Sequence, residues 1–175
     1  MALELRLASE ADLPVLRAMM ARSIAELQSA FLDPAQVAAS ATMMGLDTRL
    51  IDDGTYFAAI LDGVIVGCGG WSKRSTLYGG DHSPGRDARL LDPATEAARI
   101  RAMYTSPGHA RRGIGRAVLA ACEQAARAAG FSRTELMATL AGQPLYRAAG
   151  YEPIEAIVDR NGPVPVPMVR MGKTL

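Results

Sequence analysis

Pro107-Gly108-His109-Ala110-Arg111-Arg112-Gly113-Ile114-Gly115-Arg116 joins an apolar run, Ala98 to Thr105, to the clearest helical pattern in the chain, Gly113 to Ala129. In that pattern Ile114, Ala117, Val118, Ala121, Cys122 and Ala125 form one apolar stripe, and Gly130 supplies the stop. A strand is thus followed by a glycine-bearing turn and a long helix. The first N–H groups of such a helix have no intrahelical partner, and they lie at the positive end of its dipole. Together they make a site for phosphate oxygens. Arg111, Arg112 and Arg116 surround it with positive charge, which suits a ligand carrying several phosphates. Gly113 and Gly115 also admit a simpler reading, in which they only let helix and sheet pack closely.

Upstream, Glu4 to Ala8 alternates as a first strand, and Ser9 with Asp12 forms a weak capping box for a helix running to about Gln28. Asp33-Pro34 opens a second helix that reaches about Met44. Tyr56 to Leu61 and Val64 to Trp71 flank Asp62-Gly63, a type I′ hairpin signal. Thr76 to Pro93 loses periodicity and reads as a long functional or mobile loop. Downstream, Glu135 to Thr139 is strand-like and Pro144 to Ala149 a short helix. Tyr151 to Val158 and Val164 to Met171 form a terminal hairpin through Asn161-Gly162, with Pro163, Pro165 and Pro167 arguing for an edge position. No repeat or linker interrupts residues 1–175, which read as one α+β domain.

Composition narrows the functions. An apolar fraction of 49% with a net charge of +1 excludes wholesale disorder and leaves no basic footprint for nucleic acid. No apolar run is long enough to span a membrane, and Glu4 and Arg6 interrupt the N-terminal apolar stretch where a secretory signal would be continuous. A cytoplasmic location is expected. Only Lys73 and Lys173 among the basic residues are lysine, the bias of a GC-rich genome. Cys68 and Cys122 are too few for a disulfide framework or a structural zinc site, and the two histidines supply no metal cluster. Cys68, in Gly67-Cys68-Gly69-Gly70, has no acid or histidine neighbour and reads as a core strand residue. A dinucleotide-binding Rossmann reading draws on Gly113, Gly115, Val118 and Glu135. Against it stand the missing third glycine, the seven residues Ser106 to Arg112, and upstream elements that do not alternate strand and helix.

The stretch from Ala98 to Tyr151, about a third of the chain, resembles the GNAT superfamily of acetyl-CoA-dependent N-acetyltransferases. The resemblance is carried by Ala110-Arg111-Arg112-Gly113-Ile114-Gly115 in the turn and Leu145-Tyr146-Arg147-Ala148-Ala149-Gly150-Tyr151 beyond it. It implies a three-layer α+β fold, a mixed, mostly antiparallel sheet of about six or seven strands flanked by about four helices. It also implies acetyl-CoA as acetyl-donating cosubstrate, with no metal. By position, backbone amides of Arg111, Arg112, Gly113, Ile114, Gly115 and Arg116 fall on the coenzyme A pyrophosphate. Met103, Tyr104 and Thr105 fall on the pantetheine arm, and Tyr146 on the acid that protonates the departing thiolate. A main-chain N–H near Tyr104 would stabilise the oxyanion.

Three positions depart from the family pattern. Ala110 stands where Gln or Arg is usual, Thr139 where an asparagine often contacts pantetheine, and Arg99 where some members place a glutamate base. Glu96, Asp81, His82 and Glu26 are the remaining candidates for the base, and His109 reads as an exposed neighbour of the turn. The implied reaction is direct attack of an amine on the thioester in a ternary complex. The acceptor would be held by residues 22–44 and 76–93, whose mixed charges single out no amine; the short chain favours a small molecule. A non-catalytic acyl-CoA sensor is the alternative, which would keep Gly113 and Gly115 but could dispense with Tyr146. A homodimer through the C-terminal edge strands is compatible with the pattern.

Overall fold

Asp62 and Gly63 both take positive φ, 52° and 78°, so the expected hairpin turn forms between β2 (Tyr56–Leu61) and β3 (Val64–Ser72). The computed structural model describes residues 2–175, and its sheet grows outward from this hairpin. β1 (Glu4–Leu7) pairs with β2 on one side, and β4 (Ala98–Thr105) with β3 on the other. The full order is β1-β2-β3-β4-β5-β7-β6, with β5 spanning Arg133–Thr139, β6 Glu152–Asp159 and β7 Val166–Thr174. Every contact is antiparallel except β4 against β5. This mixed sheet excludes the Rossmann reading. Glu135, which that reading would set on a ribose, is held by Arg99 at 3.1 Å and Arg170 at 2.7 Å.

The terminal hairpin lies at one end of the sheet, but β7 is interior and only β6 is an edge. Proline is tolerated in β7 because Pro167 faces Val158 of β6 while pairing with β5 starts one residue later, at Met168 with Thr139.

Helices cover both faces. α1 (Leu13–Leu27) follows the Ser9–Asp12 box, in which Ser9 N–H donates to Asp12 Oδ2 at 2.8 Å. Its Leu16, Met19, Met20 and Ile24 pack on Tyr56, Cys68 and Tyr104. α2 (Pro34–Ser40) ends earlier than its sequence pattern, and a short α3 (Arg49–Asp52), which no periodicity announces, buries Leu50 in the same layer. On the opposite face α4 (Ile114–Ala128) inserts Ile114, Val118, Leu119, Cys122 and Ala126 against Val66, Ile100 and Leu136. α5 (Gln143–Ala148) closes that layer with Tyr146. Among the described residues no helix is long and apolar enough to cross a membrane.

Candidate active site

β4 and β5 begin as partners and end apart. Ala98 pairs with Thr134 and Arg99 with Glu135, and no register pair joins the two strands beyond Arg99. β4 is bent where its pairing with β3 slips: Cys68 faces Tyr104 but Gly70 faces Arg101, so Ala102 and Met103 share Gly69. Such a bulge bends a strand and re-aims its side chains. Ala102 takes a left-handed φ of 49°, a conformation that costs a non-glycine residue about 1–2 kcal/mol. The buried Tyr56 hydroxyl donates to Ala102 O at 2.7 Å and holds it there.

Where the strands part, a cavity of about 100 Å³ opens. β4 lines it with Met103 and Tyr104, β5 with Thr139, and α5 with Tyr146. Gly142 donates its N–H to both Thr139 O and Thr139 Oγ1 at 3.1 Å, so Thr139, expected on pantetheine, also fixes the turn that leads into α5. The Tyr146 ring stands edge-on to Tyr151, with centroids 5.9 Å apart. Its hydroxyl has no hydrogen-bond partner among the described residues, and burial holds the phenol above its ordinary range. It therefore keeps its proton through neutral pH.

The glycine turn lies at the end of β4 adjoining this cavity. After a 3-10 turn, Pro107–His109, Arg111 and Gly113 take φ of 62° and 81° and swing the chain into α4. No backbone N–H from Arg111 to Arg116 finds a protein acceptor among the described residues; the first to reach back is Ala117, onto Gly113 O at 3.0 Å. Gly113 has open space where a Cβ would stand, so the turn requires its φ. At Gly115 a Cβ would come 3.0 Å from Leu145 Cδ2 and 3.7 Å from Thr105 Oγ1, so the turn packs beside the end of β4 and α5. Close helix–sheet packing rests instead on β3, where a Cβ on Gly67 would stand 2.5 Å from Ile114 Cγ2. Arg111 and Arg112 are exposed, whereas Arg116 Nη2 donates to Ala148 O at 3.2 Å. His109 is half-buried rather than exposed, and its Nδ1 is enclosed without a partner.

None of the four candidate bases lines the cavity. Glu96 is bound by Arg89 at 2.9 Å, which holds its carboxyl down at about 2. Asp81 accepts from Thr48 N, and His82 Nε2 lies 2.7 Å from Ala41 O; both border a separate groove between α1 and α2. Glu26 is exposed on α1. Cys68 is fully buried, and its thiol is pushed up to about 12. Arg99 is half-buried on Glu135, so it binds a carboxylate where a base was sought.

The bonds that hold Arg101 and Tyr78, which line the cavity, escaped the sequence. Arg101, only 3% exposed, sends Nη2 to Asp47 Oδ2 at 3.1 Å and to Gly79 O at 2.6 Å. Arg86 shares the same Asp47 oxygen at 2.9 Å. Tyr78 donates to Asp159 Oδ2 at 2.9 Å. These bonds fasten the long loop over β4 and the C-terminal hairpin. Their partners lie 54 residues apart for Arg101–Asp47 and 81 for Tyr78–Asp159, so no local pattern marks them.

A sheet that splits beside a phosphate-type turn, with a protonated tyrosine in the split, defines the architecture of a coenzyme A-dependent acyltransferase. The chain belongs to the acetyltransferase (GNAT) family, whose model matches residues 22–151. Acetyl-CoA is the acetyl donor of that enzyme family. Solved structures share the fold along the whole chain. A GCN5-related N-acetyltransferase from Rhodopseudomonas palustris is 20% identical, with a TM-score of 0.72 over 100% of this chain and 99% of its own. The PaiA N-acetyltransferase of Thermoplasma acidophilum, solved with coenzyme A, is 14% identical, with a TM-score of 0.69 over 100% of both chains. YncA from Salmonella typhimurium, solved with acetyl-CoA, is 16% identical, with a TM-score of 0.66 over 100% of this chain and 95% of its own. No curated protein matches the sequence.

Proposed function

We propose that residues 1–175 act as one cytoplasmic N-acetyltransferase domain that moves the acetyl group of acetyl-CoA to a primary amine of a small molecule. The observation that carries this reading is the unpartnered, protonated Tyr146 hydroxyl in the cleft between β4 and β5. The free N–H groups of Arg111, Arg112, Gly113, Ile114, Gly115 and Arg116 would receive the pyrophosphate, with the exposed Arg111 and Arg112 adding charge. Met103, Tyr104 and Thr105 would line the pantetheine arm, with the Thr139 hydroxyl at its far side.

In this mechanism the neutral amine attacks the thioester carbonyl within a ternary complex, and a main-chain N–H near Tyr104 stabilises the oxyanion. The intermediate collapses by breaking the C–S bond. Tyr146 donates to the departing sulfur, and the proton lost by the amine leaves through water, which returns one to the Tyr146 phenolate, because no carboxylate lines the cavity among the described residues. The exposed edge of β6 offers a surface for a homodimer, and no nucleic acid or membrane partner is invoked.

Two-substrate initial rates with detection of the acetylated amine by mass spectrometry test this reading. Intersecting reciprocal plots are expected for direct transfer. Parallel plots would replace it with an acetyl-enzyme route, and tight acetyl-CoA binding with no product from any amine would leave a sensor.

A further inference from the structure

The cavity that holds Tyr146 carries information about the acceptor. Beyond the residues placed on the coenzyme, its wall is made by Met43, Met44, Leu77, Met137 and Met168. Four of these five are thioethers, delivered by three separate parts of the chain: the segment after α2, β5 and β7. Met side chains are apolar, polarizable and adaptable, and they supply no partner for a charge.

Among the described residues no carboxylate lines the wall, and its polar side chains are partly engaged. Tyr78 donates to Asp159, Tyr104 Oη accepts from Gly45 N at 2.7 Å, and Thr139 Oγ1 accepts from Gly142 N. Arg101, the one charged residue lining the cavity among those described, is satisfied by Asp47, Thr76 O and Gly79 O. Asp159 lies behind Tyr78 and is engaged by Asn161 as well. The O–H donors of Tyr104, Thr139 and Tyr146 remain for a ligand, and none of them is a counter-ion for a cation. A volume of about 100 Å³ is room for about three waters at roughly 30 Å³ each, so only a small group fits.

We propose, resting on the acetyltransferase reading, that the acceptor is a compact monoamine whose remainder is uncharged and apolar, an alkyl, thioether or small aryl amine. A second ammonium in this cavity would be buried against methionine sulfurs without a counter-ion, which is strongly unfavourable.

The test compares kcat/KM for isoamylamine and 3-(methylthio)propylamine with that for 1,4-diaminobutane and spermidine, using the full chain and saturating acetyl-CoA. The monoamines are expected to exceed the polyamines by about 100-fold. Met137→Glu, at a half-buried position of the wall, should narrow that ratio at least tenfold, while Met137→Leu should leave it unchanged. Polyamines acetylated as well as or better than monoamines would overturn the inference and leave the transferase reading standing. No product from any amine would overturn it too, and calorimetric binding of acetyl-CoA in the same preparation would show whether the donor reading falls with it. If Met137→Glu does not fold, the wild-type ratio alone decides.

Discussion

Gly69 of β3 lies so close to Met103 of β4 that a Cβ on the glycine would collide with the methionine sulfur. The same Cβ would stand 2.9 Å from Val118 Cγ1 of α4. One missing methyl group therefore lets three elements meet: the bulged strand, its neighbour and the helix that carries the phosphate-type turn. The bulge fits here because Gly69 has no side chain, and it lies three residues past Arg99, the last β4 residue paired with β5.

Gly69→Ala must push Met103 into the cavity or α4 off the sheet. Overpacking of this kind costs about 1–3 kcal/mol. Thermal unfolding should show the loss as a lower Tm, and acetyl-CoA affinity should fall with it. An unchanged Tm and affinity would mean that the bulge has another cause.

Tyr146→Phe removes one hydroxyl and keeps the ring packed on Tyr151. Acetyl-CoA binding should be retained, while kcat falls by about 10²–10⁴-fold, the range for loss of a general acid. Because burial raises the phenol above its ordinary range, the acid form persists as pH rises. The alkaline limb of wild-type kcat should thus lie no lower than the usual phenol value of about 10. An alkaline limb near neutrality that survives in Tyr146→Phe would belong to another group.

Both cysteines are buried, and burial pushes the Cys68 thiol up to about 12 and the Cys122 thiol upward as well. Neither should react with a thiol-specific chromogen in the folded protein, and both should react in denaturant. Rapid modification under native conditions would contradict the packing of β3 and α4. The same inertness lets coenzyme A release be followed with that reagent.

Arg6 binds both oxygens of Asp12 at 2.8 Å and holds its carboxyl well below the usual carboxylate range. A depressed folded-state pKa gives a contribution that is full above the unfolded value, near pH 4, and is lost progressively as pH falls from there through the much lower folded-state value. Asp12→Asn should lower stability by about 1–2 kcal/mol at pH 7, from the lost cap and ion pair. The gap in Tm between variant and wild type should narrow steadily as pH falls below about 4. A gap independent of pH would assign the effect to capping alone.

Much of the fold is written locally. The Asp62-Gly63 hairpin, the Ser9–Asp12 box and the stripe of α4 each depend on residues a few positions apart, and each is present. The turn was legible for the same reason, since Gly113 and Gly115 sit at the helix start they shape. What sequence did not reveal is long-range. The insertion of β7 between β5 and β6, and the Arg101–Asp47 and Tyr78–Asp159 bonds, depend on contacts no periodicity encodes. The bulge did leave a trace: glycines at 67, 69 and 70 inside an apolar strand signal a bend or a close approach. α3 left none, because its four residues are too few to show a period.

Calorimetric titration with acetyl-CoA, comparing wild type with Gly115→Glu, tests the central claim most directly. A glutamate at 115 would meet Leu145 and place a carboxylate beside the free N–H groups of the turn. Saturable binding to the wild type is expected, and its loss in a variant that keeps the wild-type circular dichroism spectrum. No binding to the wild type at millimolar acetyl-CoA, or equal binding by a folded Gly115→Glu, would contradict it.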